Sequence, residues 1–284
     1  MSNMQINAFM ACDAVYAAAG TVLFGAPFDG TTSFRPGTRF GPEYIRRESF
    51  GLETYSPYLD ADLTDIAVTD IGDLELCPGD ASASLDIIFR RAEDILRDGK
   101  RPFMLGGEHL VTLGAVRAAA ARFPGLHIVH FDAHADLRDD YLGVKLSHAC
   151  VLRRCHELLG DRCIHQFGIR SGDRSEFEWG RSHVDTHKFD LTGLKETLTA
   201  LRGLPVYLTV DLDVLDPSVF PGTGTPEPGG ASFDELRRAV TDVCLGADVV
   251  ACDVTELSPH YDASGASVAV ACKTVREMLL ALAR

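Results

Sequence analysis

The stretch IVHFDAHAD, residues 128–136, is an apolar run that closes on three evenly spaced polar side chains, Asp132, His134 and Asp136. A second stretch, VYLTVDLD, residues 206–213, is built the same way and closes on Asp211 and Asp213. Alternate side chains of a strand share a face, so continued extension would turn each set toward one point. A third segment, GGEH at 106–109, follows the short apolar run Pro102–Leu105, with paired glycines that let the chain turn sharply before His109. Together they give six candidate metal ligands: His109, Asp132, His134, Asp136, Asp211 and Asp213.

Four carboxylates cannot be gathered unpaired, and two divalent cations would neutralise them. Carboxylates and imidazoles without a thiolate favour Mn²⁺, with Zn²⁺, Fe²⁺, Co²⁺ and Ni²⁺ left open. Two such ions about 3.5–4 Å apart share a water and lower its pKa, which points to hydrolysis. Either acidic fragment alone is equally compatible with a turn, the second one leading into Pro217. Three such segments, each ending an apolar run, argue for one shared site.

Strand-like runs recur at Thr21–Gly25, Ile66–Ile71, Pro102–Leu105, Leu126–Asp132, Cys163–Gly168, Pro205–Leu212 and Ala247–Val254. Between them, Ala81–Arg97, Leu110–Ala121, Ser147–Leu159, Ser232–Leu245 and Ser267–Ala283 carry apolar residues at three- and four-residue spacing. Alternation of this kind predicts an α/β fold, a mainly parallel central sheet covered by helices on both faces. Sites in such sheets lie at the carboxyl ends of the strands, where all three ligand segments fall. The turn at Gly25–Gly30 follows the first strand in the same way and offers a further pocket wall, or only a Gly/Pro turn.

The chain has 284 residues, enough for one large domain, and no composition break divides it. A net charge of −14 argues against nucleic acid and against an anionic membrane surface, and is compatible with a cationic substrate. The Ala-rich stretch Met1–Gly20 has no Lys or Arg before its apolar part and is broken by Asp13, so no signal peptide is expected. With no apolar run of membrane-spanning length, a cytoplasmic protein is the expectation. Among the eight cysteines, Cys150, Cys155, Cys163, Cys244, Cys252 and Cys272 fall in apolar or helical patterns and read as reduced core residues.

These motifs resemble the ureohydrolase family, which contains arginase and agmatinase. The resemblance rests on GGEH (106–109), FDAHAD (131–136), VDLDVLDP (210–217) and PGTGTPEPGG (221–230). It extends to FRPGTRFGP (34–42), FGIRS (167–171) and DVTELSP (253–259), and so covers nearly the whole chain. It implies a three-layer α/β/α fold and two Mn²⁺ per subunit. His109, Asp132, Asp136 and Asp211 would then hold one ion, and Asp132, His134, Asp211 and Asp213 the other, with Asp132 and Asp211 bridging. It also implies that His148 carries a proton to the departing amine, a task suited to imidazole. Glu256 would grip the substrate guanidinium, whose paired donors match a carboxylate. Asp136 would orient the attacking hydroxide. A homo-oligomer, trimer or hexamer, is implied as well.

Arginases of the family carry an Asn- and Thr-rich stretch after the Asp-x-His-x-Asp motif. Here Leu137–Leu146 reads LRDDYLGVKL and lacks both residues, as in bacterial agmatinases. The resemblance therefore implies hydrolysis of agmatine to putrescine and urea, with other guanidino compounds as alternatives. Two rivals differ in class: a single-zinc deacetylase-like enzyme would bind one ion, and a non-catalytic binding protein would have lost ligands. His127, His130, His156, His165, His183, His187 and His260 are not expected to bind metal, and Trp179 is expected to be a buried helix aromatic rather than a pocket gate.

Overall fold

The computed structural model describes residues 8–284; the first seven residues of the N-terminal stretch lie outside the described residues. Ten strands alternate with eight α-helices. The strands are β1 (Thr21–Ala26), β2 (Tyr55–Ser56), β3 (Ala61–Asp62), β4 (Val68–Asp73), β5 (Arg101–Gly106), β6 (His127–Phe131), β7 (Ile164–Ile169), β8 (Asp185–Lys188), β9 (Pro205–Asp211) and β10 (Asp248–Thr255). The helices are α1 (Gly41–Ser49), α2 (Ala81–Arg97), α3 (Thr112–Arg122), α4 (Val151–Leu159), α5 (Arg174–His183), α6 (Leu194–Ala200), α7 (Phe233–Gly246) and α8 (Ala266–Leu282).

Eight strands form one sheet in the order β4-β1-β5-β10-β9-β6-β7-β8, and every strand pairing in it is parallel. The two-residue strands β2 and β3 form a separate antiparallel hairpin. A parallel sheet buried on both faces selects continuous apolar runs, and β1, β5 and β6 are such runs. Their side chains alternate between two cores. Leu23, Phe103, Val129 and Phe131 face the core made with α1, α7 and α8. Val22, Phe24, Met104 and Ile128 face the core made with α2, α3 and α4. The three-layer α/β/α architecture follows directly from this period of two.

Helix α2 has the predicted limits, and α7 and α8 lie one residue from theirs. Helices α3 and α4 start later than their apolar spacing implies, each behind a 3₁₀ turn, at His109–Val111 and His148–Cys150. Strand β8 was not predicted, because its Asp-Thr-His-Lys composition is that of an edge strand, half-buried, with no apolar alternation. Helices α1, α5 and α6 also carry too few periodic apolar residues to register; α5 is fixed instead by the capping box Asp173/Glu176. All eight cysteines are free thiols; of the six read as core residues Cys163 is only half-buried, and Cys77, outside that set, is exposed. No described helix is long and apolar enough to cross a membrane.

Candidate metal centre

β5, β6, β9 and β10 are neighbours in the sheet, and their carboxyl ends deliver the cluster. His109 opens the 3₁₀ turn after β5, Asp132 follows the last residue of β6, Asp211 ends β9, and Glu256 follows β10. Strand alternation is not what gathers the acids. β6 stops at Phe131, so Asp132–Asp136 is a loop, with His134 bridged to Ser171 and Asp136 in the left-handed region at φ 52°. Asp213 is turned inward by the 3₁₀ turn Leu212–Val214, where its N–H donates to Asp211 Oδ1 at 2.9 Å. The paired glycines likewise serve close approach rather than a turn. A Cβ on Gly107 would fall 1.9 Å from Phe28 O, and one on Gly106 2.6 Å from Thr255 Cγ2.

Arg170 of FGIRS braces this rim. Its guanidinium donates to Asp213 O at 2.8 Å, Val214 O at 3.1 Å and Glu227 O at 2.7 Å, tying the 3₁₀ turn to the PGTGTPEPGG loop. That loop in turn brings Thr225 Oγ1 to 3.3 Å from Asp213 Oδ2. Asp29, read above as part of a possible pocket wall, is a loop anchor: its carboxylate accepts Gly37 N–H at 2.8 Å and pairs with Arg39.

His109 Nδ1 lies 3.1 Å from Asp132 Oδ2, 3.2 Å from Asp136 Oδ2 and 3.3 Å from Asp211 Oδ2. His134 Nδ1 lies 3.0 Å from Asp213 Oδ2 and 3.4 Å from Asp132 Oδ1. Asp132 thus belongs to two adjacent nests of ligand atoms, one around His109 and one around His134 with Asp213. The tautomer of His109 can be assigned from its far nitrogen. Thr209 Oγ1 donates to Asp253 Oδ1 at 2.6 Å, so at 3.0 Å it accepts from His109 Nε2–H. Nδ1 is then a bare, buried lone pair without a hydrogen-bond donor, facing three carboxylate oxygens.

Electrostatics tell the same story. Burial, then the charge of Asp213 and Asp132, holds the Asp211 carboxyl well above the usual range. Burial and Asp132 push Asp136 up to about 7. Burial, Asp213 and Glu108 raise Glu256 well above normal. Burial disfavours the ionised form of Asp132 too, but the imidazoles around it, with His130 hydrogen-bonded to its Oδ2, outweigh burial and hold its pKa well below the usual. Burial lowers the His109 and His134 pKa values, and the carboxylates around them outweigh it and raise both. The cluster is short of positive charge. Divalent cations placed between these oxygens and the two imidazole lone pairs would supply it, and the hard, thiolate-free donor set suits such ions.

His130, discounted in the sequence, is completely buried and bonds Asp132 Oδ2 at 2.8 Å. Its position beside His109 and Asp132 has ligand spacing, but its proton is spoken for. Gln166 Nε2 donates to His130 Nδ1 at 3.2 Å, leaving Nε2–H to donate to Asp132. His130 therefore orients a carboxylate instead of competing for a metal. Its parity with Asp132 was the available signal.

His148 and Glu256 enter the same cleft of about 220 Å³, lined also by Ser33, Arg138, Tyr141 and Thr225. Glu256 sits at φ 64°, its Oε1 accepting His109 N–H at 2.7 Å. Asp136 and Glu256 are both non-glycine residues in the left-handed region, a conformation costing about 1–3 kcal/mol each and concentrated at functional sites. His148 Nε2 lies 3.1 Å from Ser33 Oγ, and its main-chain N–H donates to Thr31 Oγ1 at 3.0 Å. Thr31 is held by Glu108, which accepts Thr31 N–H at 2.9 Å and its hydroxyl as well. Glu108 is thus the buried post for the loop that carries Ser33 to His148, a role the GGEH motif did not disclose. Trp179, expected to be a buried helix aromatic, is only half-buried, its ring stacked on that of His183.

A profile of the arginase family matches residues 19–281. The chain belongs to the arginase family. Among arginase-family relatives, agmatinase from Bacillus subtilis is 46% identical over 275 residues, covering 96% of this chain and 95% of that protein. N(1)-aminopropylagmatine ureohydrolase from Thermococcus kodakarensis is 39% identical, covering 84% of this chain and 82% of that protein. Among solved structures, agmatine ureohydrolase of Thermoplasma volcanium superposes with a TM-score of 0.89 at 35% identity, covering 99% of this chain and 96% of that one.

Proposed function

We propose that this chain is an agmatinase, a metal-dependent ureohydrolase that hydrolyses agmatine to putrescine and urea. Glu256 carries the chemical side of the proposal. It is a buried carboxylate, fixed through Oε1 by His109 N–H and raised in pKa by burial and by its acidic neighbours. The missing partner of such a group is a cation, and a planar guanidinium matches it bidentately. The relatives from Bacillus subtilis and Bacillus anthracis, 46% and 47% identical to this chain, are named agmatinases.

In this reading His109, Asp132, Asp136 and Asp211 would hold one Mn²⁺ and Asp132, His134, Asp211 and Asp213 a second. When bound, the ions would supply Lewis acidity and lower the pKa of a water. Glu256 sets the guanidinium in the cleft, so that binding and orientation come from one contact. Asp136 orients the attacking water. His148, neutral at rest, would relay at Nε2 a proton released by the attacking water to the departing amine. The eight free thiols support a reducing, cytoplasmic setting.

One observation favours a second reading. Arg138 lines the cleft, and its cation would suit a substrate tail ending in carboxylate, as in guanidinobutyrate. A guanidinobutyrase from Pseudomonas aeruginosa is 35% identical to this chain. Arg138 is already matched, however, by Glu176 at 3.4 Å and Asp173 at 3.7 Å. Urea release with Mn²⁺ present, measured on agmatine, arginine, guanidinobutyrate and guanidinopropionate, separates the readings. The highest kcat/KM on agmatine is expected, and preference for any other substrate overturns the proposal.

A further inference from the structure

Outside the acidic cleft, the structure gathers two imidazoles and a carboxylate from three segments. His156 Nε2 lies 2.8 Å and His183 Nδ1 2.6 Å from the same oxygen, Asp161 Oδ1. The three ligand atoms all lie within 4.8 Å of one another. His156 stands in the last turn of α4, His183 is the last residue of α5, and Asp161 lies in the loop between α4 and β7. We propose that His156, Asp161 and His183 form a second metal site, for a borderline divalent cation of the Zn²⁺ or Ni²⁺ kind.

The donor set decides the class of ion. Two neutral imidazoles and one carboxylate suit Zn²⁺, Ni²⁺ or Cu²⁺ and are a poor set for Mg²⁺ or Ca²⁺. Three protein ligands leave a tetrahedral ion one position for water. An ion at normal bond lengths would hold the ligand atoms about 3.3 Å apart, so replacing the two N–H···O hydrogens asks Asp161 to withdraw only slightly. It is free to do so: its side chain is 60% exposed, while the imidazoles are 16% and 32% exposed and held in place. Arg162 docks the loop beforehand, donating to Val184 O at 2.9 Å and Arg181 O at 2.8 Å. The two rings are further set by Trp179, whose ring centroid is 4.7 Å from that of His156 and 4.3 Å from that of His183.

The location gives the site a consequence. α4 follows directly from the 3₁₀ turn that carries His148, and the first turn of α5 carries Glu176, which lines the cleft. Both helices thus run from the cleft to the cluster, and an ion there clips their far ends together. It is a clamp between the two helices, independent of what the cleft hydrolyses.

Trp179 is the only tryptophan, so it reports the site directly. With the cleft saturated by Mn²⁺, titration with NiCl₂ should quench Trp179 fluorescence saturably at one Ni²⁺ per chain. His156→Gln and His183→Gln should weaken that quenching at least ~10-fold. Asp161→Ala, an exposed loop change that leaves the core untouched, should weaken it too. ZnCl₂ should raise the Tm of the wild-type protein and leave that of the three variants unmoved. No saturable quenching in the wild type, or the same quenching curve in wild type and Asp161→Ala, overturns the proposal.

Discussion

Thr209 accepts the Nε2 hydrogen of His109 at 3.0 Å while giving its own hydrogen to Asp253, and this fixes which nitrogen of His109 faces the acids. Thr209→Val keeps the shape of the side chain and removes the acceptor. His109 would then lose its set tautomer, and Asp253 Oδ1 one of its donors. Mn²⁺ affinity measured by calorimetry is expected to fall about 10–100-fold, as for other partners that orient metal ligands. Unchanged affinity would remove the tautomer from the account.

Glu256→Gln tests the guanidinium grip separately from the metal. The neutral amide keeps most of the shape, and one of its ends can still accept from His109 N–H, but the charge that pairs with the substrate is gone. Metal content should stay at the wild-type level while kcat/KM falls about 10²-fold or more. Loss of metal together with activity would instead make Glu256 a support of the cluster.

His148→Ala should retain metal and lose roughly 10²–10⁴-fold in kcat. Burial lowers the His148 pKa from 6.5 to about 4, so the ring is neutral at neutral pH. The sign of the linked stability follows. With the folded value depressed, the contribution is full above about 6.5 and is lost as pH falls from there toward about 4. Between those limits the Tm of His148→Gln should fall less steeply with acid than that of the wild type. Parallel Tm curves would show that the ring is not held neutral.

Asp262 ties the start of α8 to the cleft rim. Its Oδ2 accepts Ser267 N–H and Oγ–H, each at 2.7 Å, while Ser267 Oγ accepts Gly222 N–H at 2.9 Å. Burial opposes the charge, yet these hydrogen bonds and those from Ser264 outweigh it and hold the Asp262 pKa at about 2. A depressed acid stabilises the fold above the unfolded value of about 3.9, and loses that effect as pH falls toward about 2. At neutral pH, Asp262→Ala should cost about 1–2 kcal/mol, seen as a fall in Tm of roughly 2–6 °C.

The fold was legible because a parallel sheet buried on both faces leaves long apolar runs, and those runs named seven of its eight strands. β8 escaped because an edge strand with exposed polar residues has no such signature. The six acids and imidazoles were legible as residue types, but the reason for their meeting was not. Loop strain at Asp136 and a 3₁₀ turn at Asp213 gather them, and neither has a periodic signal. The roles of Thr209 and Glu108 are not legible because each acts by a hydrogen bond to a residue distant in sequence, which spacing does not encode; His130 shares the parity of Asp132, but only the fold shows that its ring bonds that carboxylate. His156 and His183 have no ligand spacing in the sequence, and only the fold brings both to the carboxylate of Asp161.

In the proposed function Asp132 and Asp211 would each serve both ions of one hydrolytic centre. Metal stoichiometry of the purified protein, taken by native mass spectrometry after loading with Mn²⁺, tests it most directly. Two Mn²⁺ per chain are predicted for the wild type, with loss of both in Asp132→Asn. One ion per chain in the wild type, or a fully loaded Asp132→Asn protein, would contradict it.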